Sequence, residues 1–229
     1  MKKQLAVAAL AVLGSAGAVT VPAHEAGDLI LRAGITNVDP GGDSDAVVLP
    51  TDPETVLPSG VDVADDTQLG LMGTFMVSDR WGVELLASTP FDHDIDQPDL
   101  AIAAGSTRHL PPTLSFQFYP RGGKPGWQPY LGVGVNYTYF FDEDVSPALT
   151  DALGAVLGAS TASLDLDDSL GLAAQAGVDV PLNDRWLLNA GVWYIDIGTT
   201  ADVTTDVGTV SFDVDIDPWV YNIGIAYRF

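Results

Sequence analysis

The strongest constraint in this sequence is a period of two. Over the last eleven residues Trp219, Tyr221, Ile223, Ile225, Tyr227 and Phe229 share one parity, and Val220, Asn222, Gly224, Ala226 and Arg228 share the other. Successive side chains of a strand point to opposite faces of a sheet. This segment therefore has one wholly apolar face that begins and ends in aromatics, and one face that is small or polar. A strand of a soluble sandwich turns a polar face outward. An apolar stripe bounded by aromatics is what a strand needs when its outer face meets lipid and its inner face lines a narrow lumen.

Seven further segments alternate in the same way, so strands are predicted near residues 28–36, 67–78, 81–90, 109–119, 128–141, 169–181, 186–198 and 213–229. Their connections alternate strictly in length. Ser78-Asp79-Arg80, Pro120 to Trp127 and Leu182 to Arg185 are short, whereas 37–66, 91–108, 142–168 and 199–212 are long. Short periplasmic turns facing longer extracellular loops produce that rhythm. The predicted fold is all-β, an eight-stranded antiparallel transmembrane β-barrel of the outer-membrane type. Ala-Leu spacing from Pro147 to Thr161 predicts a short helix in the third extracellular loop. Residues 1–23 read as a signal peptide, from the basic Lys2 and Lys3, an uncharged Ala-Val-Leu stretch and the small residues Val21-Pro22-Ala23. The barrel domain is then 24–229.

Composition narrows the partners. Asp and Glu number 31 against 9 Lys and Arg, which disfavours nucleic acid and anionic surfaces. A hydrophobic fraction of 47% fits that acidity only if apolar residues face lipid while the loops stay polar. The absence of cysteine removes thiolate catalysis and Cys-based metal sites. Asp39, Asp43, Asp45, Asp65 and Asp66 crowd the first long loop. They read as solvated acidic surface; cation binding shared with lipopolysaccharide is the alternative, but the ligand spacing of a calcium loop is missing.

Several stretches resemble the OmpW family of outer-membrane proteins: His24-Glu25-Ala26-Gly27, Thr67 to Leu71, Gly82 to Ala87 with Thr89-Pro90-Phe91, and His109 to Leu114. Others are Pro129-Tyr130, Asn136-Tyr137-Thr138, Trp193-Tyr194 with Asp196-Ile197, Asp217-Pro218-Trp219-Val220 and Tyr227-Arg228-Phe229. The resemblance runs along the length of the barrel domain and leaves most of the long loops out. It implies a narrow hydrophobic interior that passes small apolar molecules, and, for some members, a role as phage or bacteriocin receptor. It also implies that Tyr227 and Phe229 present a signal to the barrel insertion machinery. The expected partners are outer-membrane lipid, lipopolysaccharide and small hydrophobic solutes, with the protein a monomer and bound to no nucleic acid.

Parity sorts the inward side chains by height. Arg32, Glu84, Gln117, Asp179, Asn189 and Arg228 point inward near the periplasmic ends of their strands, and buried charges in so narrow a space must pair. An ionic plug is therefore expected. A Glu84–Asp179 acid/base pair is the weaker alternative, since neighbouring arginines would hold both carboxylates ionised. Met72, Met76, Leu86, Phe140, Trp193 and Ile195 are expected higher up, either as an apolar solute path or as the filling of a narrow core. Leu86 is the expected constriction, with Leu170 as a candidate to face it. Pro111 and Pro112 mark a weak point in the wall, because proline cannot donate to the strand ladder, and lateral release into the membrane follows. His24, His93 and His109 are scattered and no serine stands in a recognisable relation to them, so neither enzyme, cofactor nor metal site is expected; His109 reads as a rim residue. The competing function is a structural or receptor barrel with a filled lumen.

Overall fold

The computed structural model describes residues 24–229 except residue 52, so the signal peptide expected over 1–23 lies outside the described residues. Eight strands form the barrel: β1 (Leu29–Asp39), β2 (Asp66–Ser78), β3 (Trp81–Ser88), β4 (Thr113–Phe118), β5 (Gln128–Val145), β6 (Ser169–Pro181), β7 (Trp186–Ile195) and β8 (Trp219–Arg228). Each pairs antiparallel with its neighbours in sequence. β8 returns to β1 in a register running from Ile30 opposite Arg228 to Asp39 opposite Trp219, which closes the sheet and removes its edges.

The closure turns one parity outward. Leu131, Val133, Val135, Ile223 and Ile225 are exposed large apolar side chains on that surface. At the short-turn end Trp81 stacks on Phe116, and Trp186, Tyr227 and Phe229 make successive edge contacts; at the other end Tyr139 meets Phe141 and Tyr194 meets Trp219. From Trp127 to Tyr139 the strand rises about 3.3 Å per residue, which at a tilt of about 40° covers roughly 30 Å, the thickness of a hydrocarbon layer. The inner parity accommodates large side chains beside absent ones. A Cβ at Gly191 would stand 2.5 Å from the Trp193 ring, and one at Gly177 would stand 2.3 Å from Tyr130 Oη.

The long connections differ from expectation, because they continue the wall as strands. Residues 91–97 and 102–110 form a hairpin, and 102–110 also pairs with the upper part of β5, from Leu110 opposite Tyr139 to Gly105 opposite Val145. A register shift between Phe141 and Asp144 bends β5 there, with Asp142 in the left-handed region (φ 53°) that Asp tolerates better than most residues. Residues 162–166, 198–205 and 208–215 make a second sheet, and 47–49 pairs with 55–57. The segment expected as one strand over 109–119 is broken at Pro111-Pro112. The segment expected over 213–229 is broken before Trp219, where Asp217 takes a positive φ ahead of Pro218. The loop helix is present as α1 (Pro147–Leu157). Ser146 caps it by accepting from the Leu149 N–H at 3.0 Å, and Gly158, left-handed at φ 76°, ends it.

Candidate functional site

A continuous layer of polar side chains crosses the barrel interior near its short-turn end. Arg32 on β1 donates from Nε to Asp179 Oδ1 at 3.0 Å and from Nη2 to Asp179 Oδ2 at 2.6 Å, a two-pronged contact with the β6 carboxylate. Its Nη1 donates to Glu84 Oε2 on β3 at 3.0 Å, and its Nη2 also donates to Tyr119 Oη at 3.1 Å. Thr74 donates to Glu84 at 3.0 Å, Asn189 donates to Asp179 at 2.9 Å, and Tyr119 donates to Gln117, which in turn donates to Gln175 at 3.0 Å. Arg32, Glu84, Gln117, Asp179 and Asn189 are each at most 2% exposed.

Two features of this layer differ from expectation. Arg228 is placed at the rim, where it donates to the Asp184 carbonyl at 2.6 Å and lies 3.9 Å from Asp28; its position one residue from the end of the described chain carries it past the lumen. An unexpected further contact to Asp179 comes from His24, whose buried Nε2 sits 3.0 Å from Asp179 Oδ2 with its ring edge-on to Tyr119. Sequence reasoning missed His24 because nothing in its spacing says that this residue folds back under the barrel.

Apolar side chains pack on both sides of the layer. Below it Ile30, Met76, Leu187 and Ala226 cluster with Tyr119 and Tyr130, whose hydroxyls reach into the layer itself. Met76 is thus on the short-turn side and not in the expected upper path: β2 runs toward that end and Met76 pairs with Gly82 beside the turn. Above the layer Met72, Leu86, Phe140, Trp193 and Ile195 join Phe91, Ile197 and Val220 in a second cluster. Leu86 is buried there, whereas Leu170 is 78% exposed on the outer surface and does not face it. Above this cluster the loop strands and α1 surround an open space of about 1230 Å³, part of it open solvent, with Phe140 at its lower end. Leu149, Leu153 and Val156 of α1, Leu164, Val203, Val210 and Phe212 line it. Among the described residues no group of three or more His, Asp or Glu side chains could hold a metal ion.

His93 and His109 also line this space, and their rings lie face to face, with centroids 4.8 Å apart and planes 9° from parallel. His109 is thus a wall residue of the chamber and not a residue of the outer rim. His93 Nδ1 lies 2.6 Å from the Ala64 carbonyl. Burial pushes the His93 imidazole below its usual range despite Asp66 and Asp92 nearby.

Residues 25–229 match the OmpW family. The chain belongs to that family. Outer membrane protein W of Vibrio cholerae serotype O1 is 42% identical over 97% of this chain and 98% of its own, and that of Escherichia coli K12 is 40% identical over 99% and 100%. The crystal structure of OprG from Pseudomonas aeruginosa superposes with a TM-score of 0.79 at 43% identity, covering 90% of this chain and 98% of that one. This OmpW-family chain is therefore a bacterial outer-membrane barrel, and its short turns define the periplasmic rim. The ladder between β3 and β4 stops at Leu86 opposite Thr113 and resumes in the extracellular hairpin at Phe91 opposite His109. Pro111 and Pro112 occupy the interval. On their other side they are held, since Asn136 Nδ2 donates to the Pro111 carbonyl at 3.2 Å and the Tyr137 N–H to the Pro112 carbonyl at 3.1 Å.

Proposed function

We propose that this OmpW-family barrel passes small hydrophobic molecules from the extracellular side into the outer membrane, with residues 1–23 acting as its export signal. The observation that carries this reading is the juxtaposition of an apolar chamber open to the outside with a charged, hydrogen-bonded layer below it. An apolar solute gains by leaving water for the chamber. It would lose by entering the Arg32–Asp179–Glu84 layer, whose groups would forfeit their partners. The axial route is therefore the costly one. The interval at Pro111-Pro112, flanked by Leu86, Phe91 and Phe140, supports a lateral exit in which few backbone hydrogen bonds need to break. In this scheme Met72, Leu86, Trp193 and Ile195 form the floor that a solute must displace, and Leu86, next to the gap, is the constriction.

The test is uptake of a hydrophobic fluorophore into proteoliposomes made with the mature chain, beside efflux of a sugar of similar size. Uptake of the fluorophore without sugar leakage is expected, and Leu86→Arg should abolish it while the variant still folds as a barrel. Free passage of sugars and ions would refute the plugged lateral route, and unchanged uptake by Leu86→Arg would place the path elsewhere. N-terminal sequencing of the protein recovered from outer membranes should begin at His24.

A further inference from the structure

Apolar walls alone do not require the imidazoles in the chamber. His93 and His109 are each 2% exposed, and among the described residues His93 Nε2 and both ring nitrogens of His109 have no hydrogen-bond partner. They are held there by an aromatic stack: Phe91 lies 5.5 Å and Phe140 5.8 Å from the His109 ring, and the two imidazoles lie 4.8 Å apart. Phenylalanine at both positions would fill the same stack and give up only the His93–Ala64 hydrogen bond, whereas the imidazoles leave three buried nitrogens unpaired, a costly arrangement unless something else pairs them.

We infer that the His93–His109 pair is a headgroup station for neutral amphipaths, recognising a hydroxyl on a short apolar body. The inference rests on the transport reading and names the class of solute it favours. The Ala64 carbonyl can only accept, so His93 Nδ1 carries the proton and Nε2 presents a lone pair. Neutral His109 offers one N–H and one lone pair. A hydroxyl matches this set, because it donates to one lone pair and accepts from the His109 N–H. An alkane leaves every nitrogen unpaired. A carboxylate can use only the single N–H, and it would bring a negative charge close to Asp65, Asp66 and Asp92, which already act on His93. Above the rings Leu153, Val203, Val210 and Phe212 supply the apolar surface for the rest of the molecule.

The experiment compares 1-octanol with n-octane, added to the mature protein in lipid nanodiscs and corrected for partition into protein-free discs. The readouts are binding and the imidazole ¹⁵N signals. In the wild type 1-octanol should bind about tenfold more tightly than octane, the worth of one or two hydrogen bonds in a dry site, and should shift the His93 Nε2 signal. His93→Phe with His109→Phe keeps the ring stack; it should erase the preference for the alcohol while octane still binds. Should both compounds bind the wild type equally, the headgroup station is overturned and the transport reading survives. Should neither bind, the transport reading falls and takes the station with it. Nitrogen signals that respond to zinc alone and not to octanol would replace the station by a metal site. The wild-type comparison decides the matter even if the double variant fails to fold.

Discussion

The wall of this protein is built twice, once in the membrane and once above it, by strands of the same period and opposite polarity. In β5 the outward residues Leu131, Val133 and Val135 are apolar and exposed, while Gly132, Gly134 and Asn136 face inward. In the hairpin strand 91–97 the outward residues are Asp92, Asp94 and Asp96, and Phe91, His93, Ile95 and Gln97 are buried. Strand 198–205 follows the second pattern, with Thr199, Ala201 and Val203 buried. Alternation therefore reports a strand, and the polarity of the outward parity reports the solvent it meets. The inner faces differ in the same sense. The membrane section hides a charged layer, and the extracellular section hides an apolar chamber.

Four substitutions test the difference between the two walls. Arg32→Met leaves Asp179 and Glu84 buried without their guanidinium and should cost about 3–5 kcal/mol in urea unfolding from lipid vesicles. Adding Glu84→Gln and Asp179→Asn should recover much of that loss. A cost below about 1 kcal/mol for the single variant would mean that the layer is not a buried ionic network. Val133→Arg, at a lipid-facing position 67% exposed, should cost about 2–4 kcal/mol in the same assay, and a neutral outcome would contradict the lipid-facing parity. Ser146→Ala removes the cap of α1 and its hydrogen bond to the Ala103 carbonyl, and should cost about 1 kcal/mol; faster hydrogen exchange in the first turn of the helix is the local readout. Asp94→Val makes the outward face of the hairpin apolar where it meets water, and should change stability by less than about 0.5 kcal/mol. A clear stabilisation by Asp94→Val in vesicles would place that hairpin in lipid and erase the distinction between the two walls.

Much of the membrane section was legible in the sequence for one reason. Its outward residues must all be apolar, so the stripe from Trp219 to Phe229 and its counterparts announce both the strand and the lipid. The inward charges followed by parity, and Arg32, Glu84, Gln117, Asp179 and Asn189 do come together in one layer. The extracellular wall reads as loops because its signal is inverted. Phe91-Asp92-His93-Asp94-Ile95-Asp96-Gln97 alternates without a break, but its charged parity reads as solvated loop unless the period is weighed apart from the polarity. Parity puts Met76 on the inner face but does not set its height, and the structure places it beside the short turn.

A period of two and the cost of burying polar groups are local rules, and they suffice to read from the sequence a closed barrel of eight strands, the side chains that meet lipid, and Arg32, Glu84 and Asp179 as inward charges, though they misplace Arg228. The contact of His24 with Asp179, the stack of His93 on His109 and the folding of the acidic loops into a second wall around an apolar chamber emerge with the three-dimensional fold. Those contacts join residues far apart in the chain, and what brings them together is the register and closure of the sheet, which no short stretch of sequence contains.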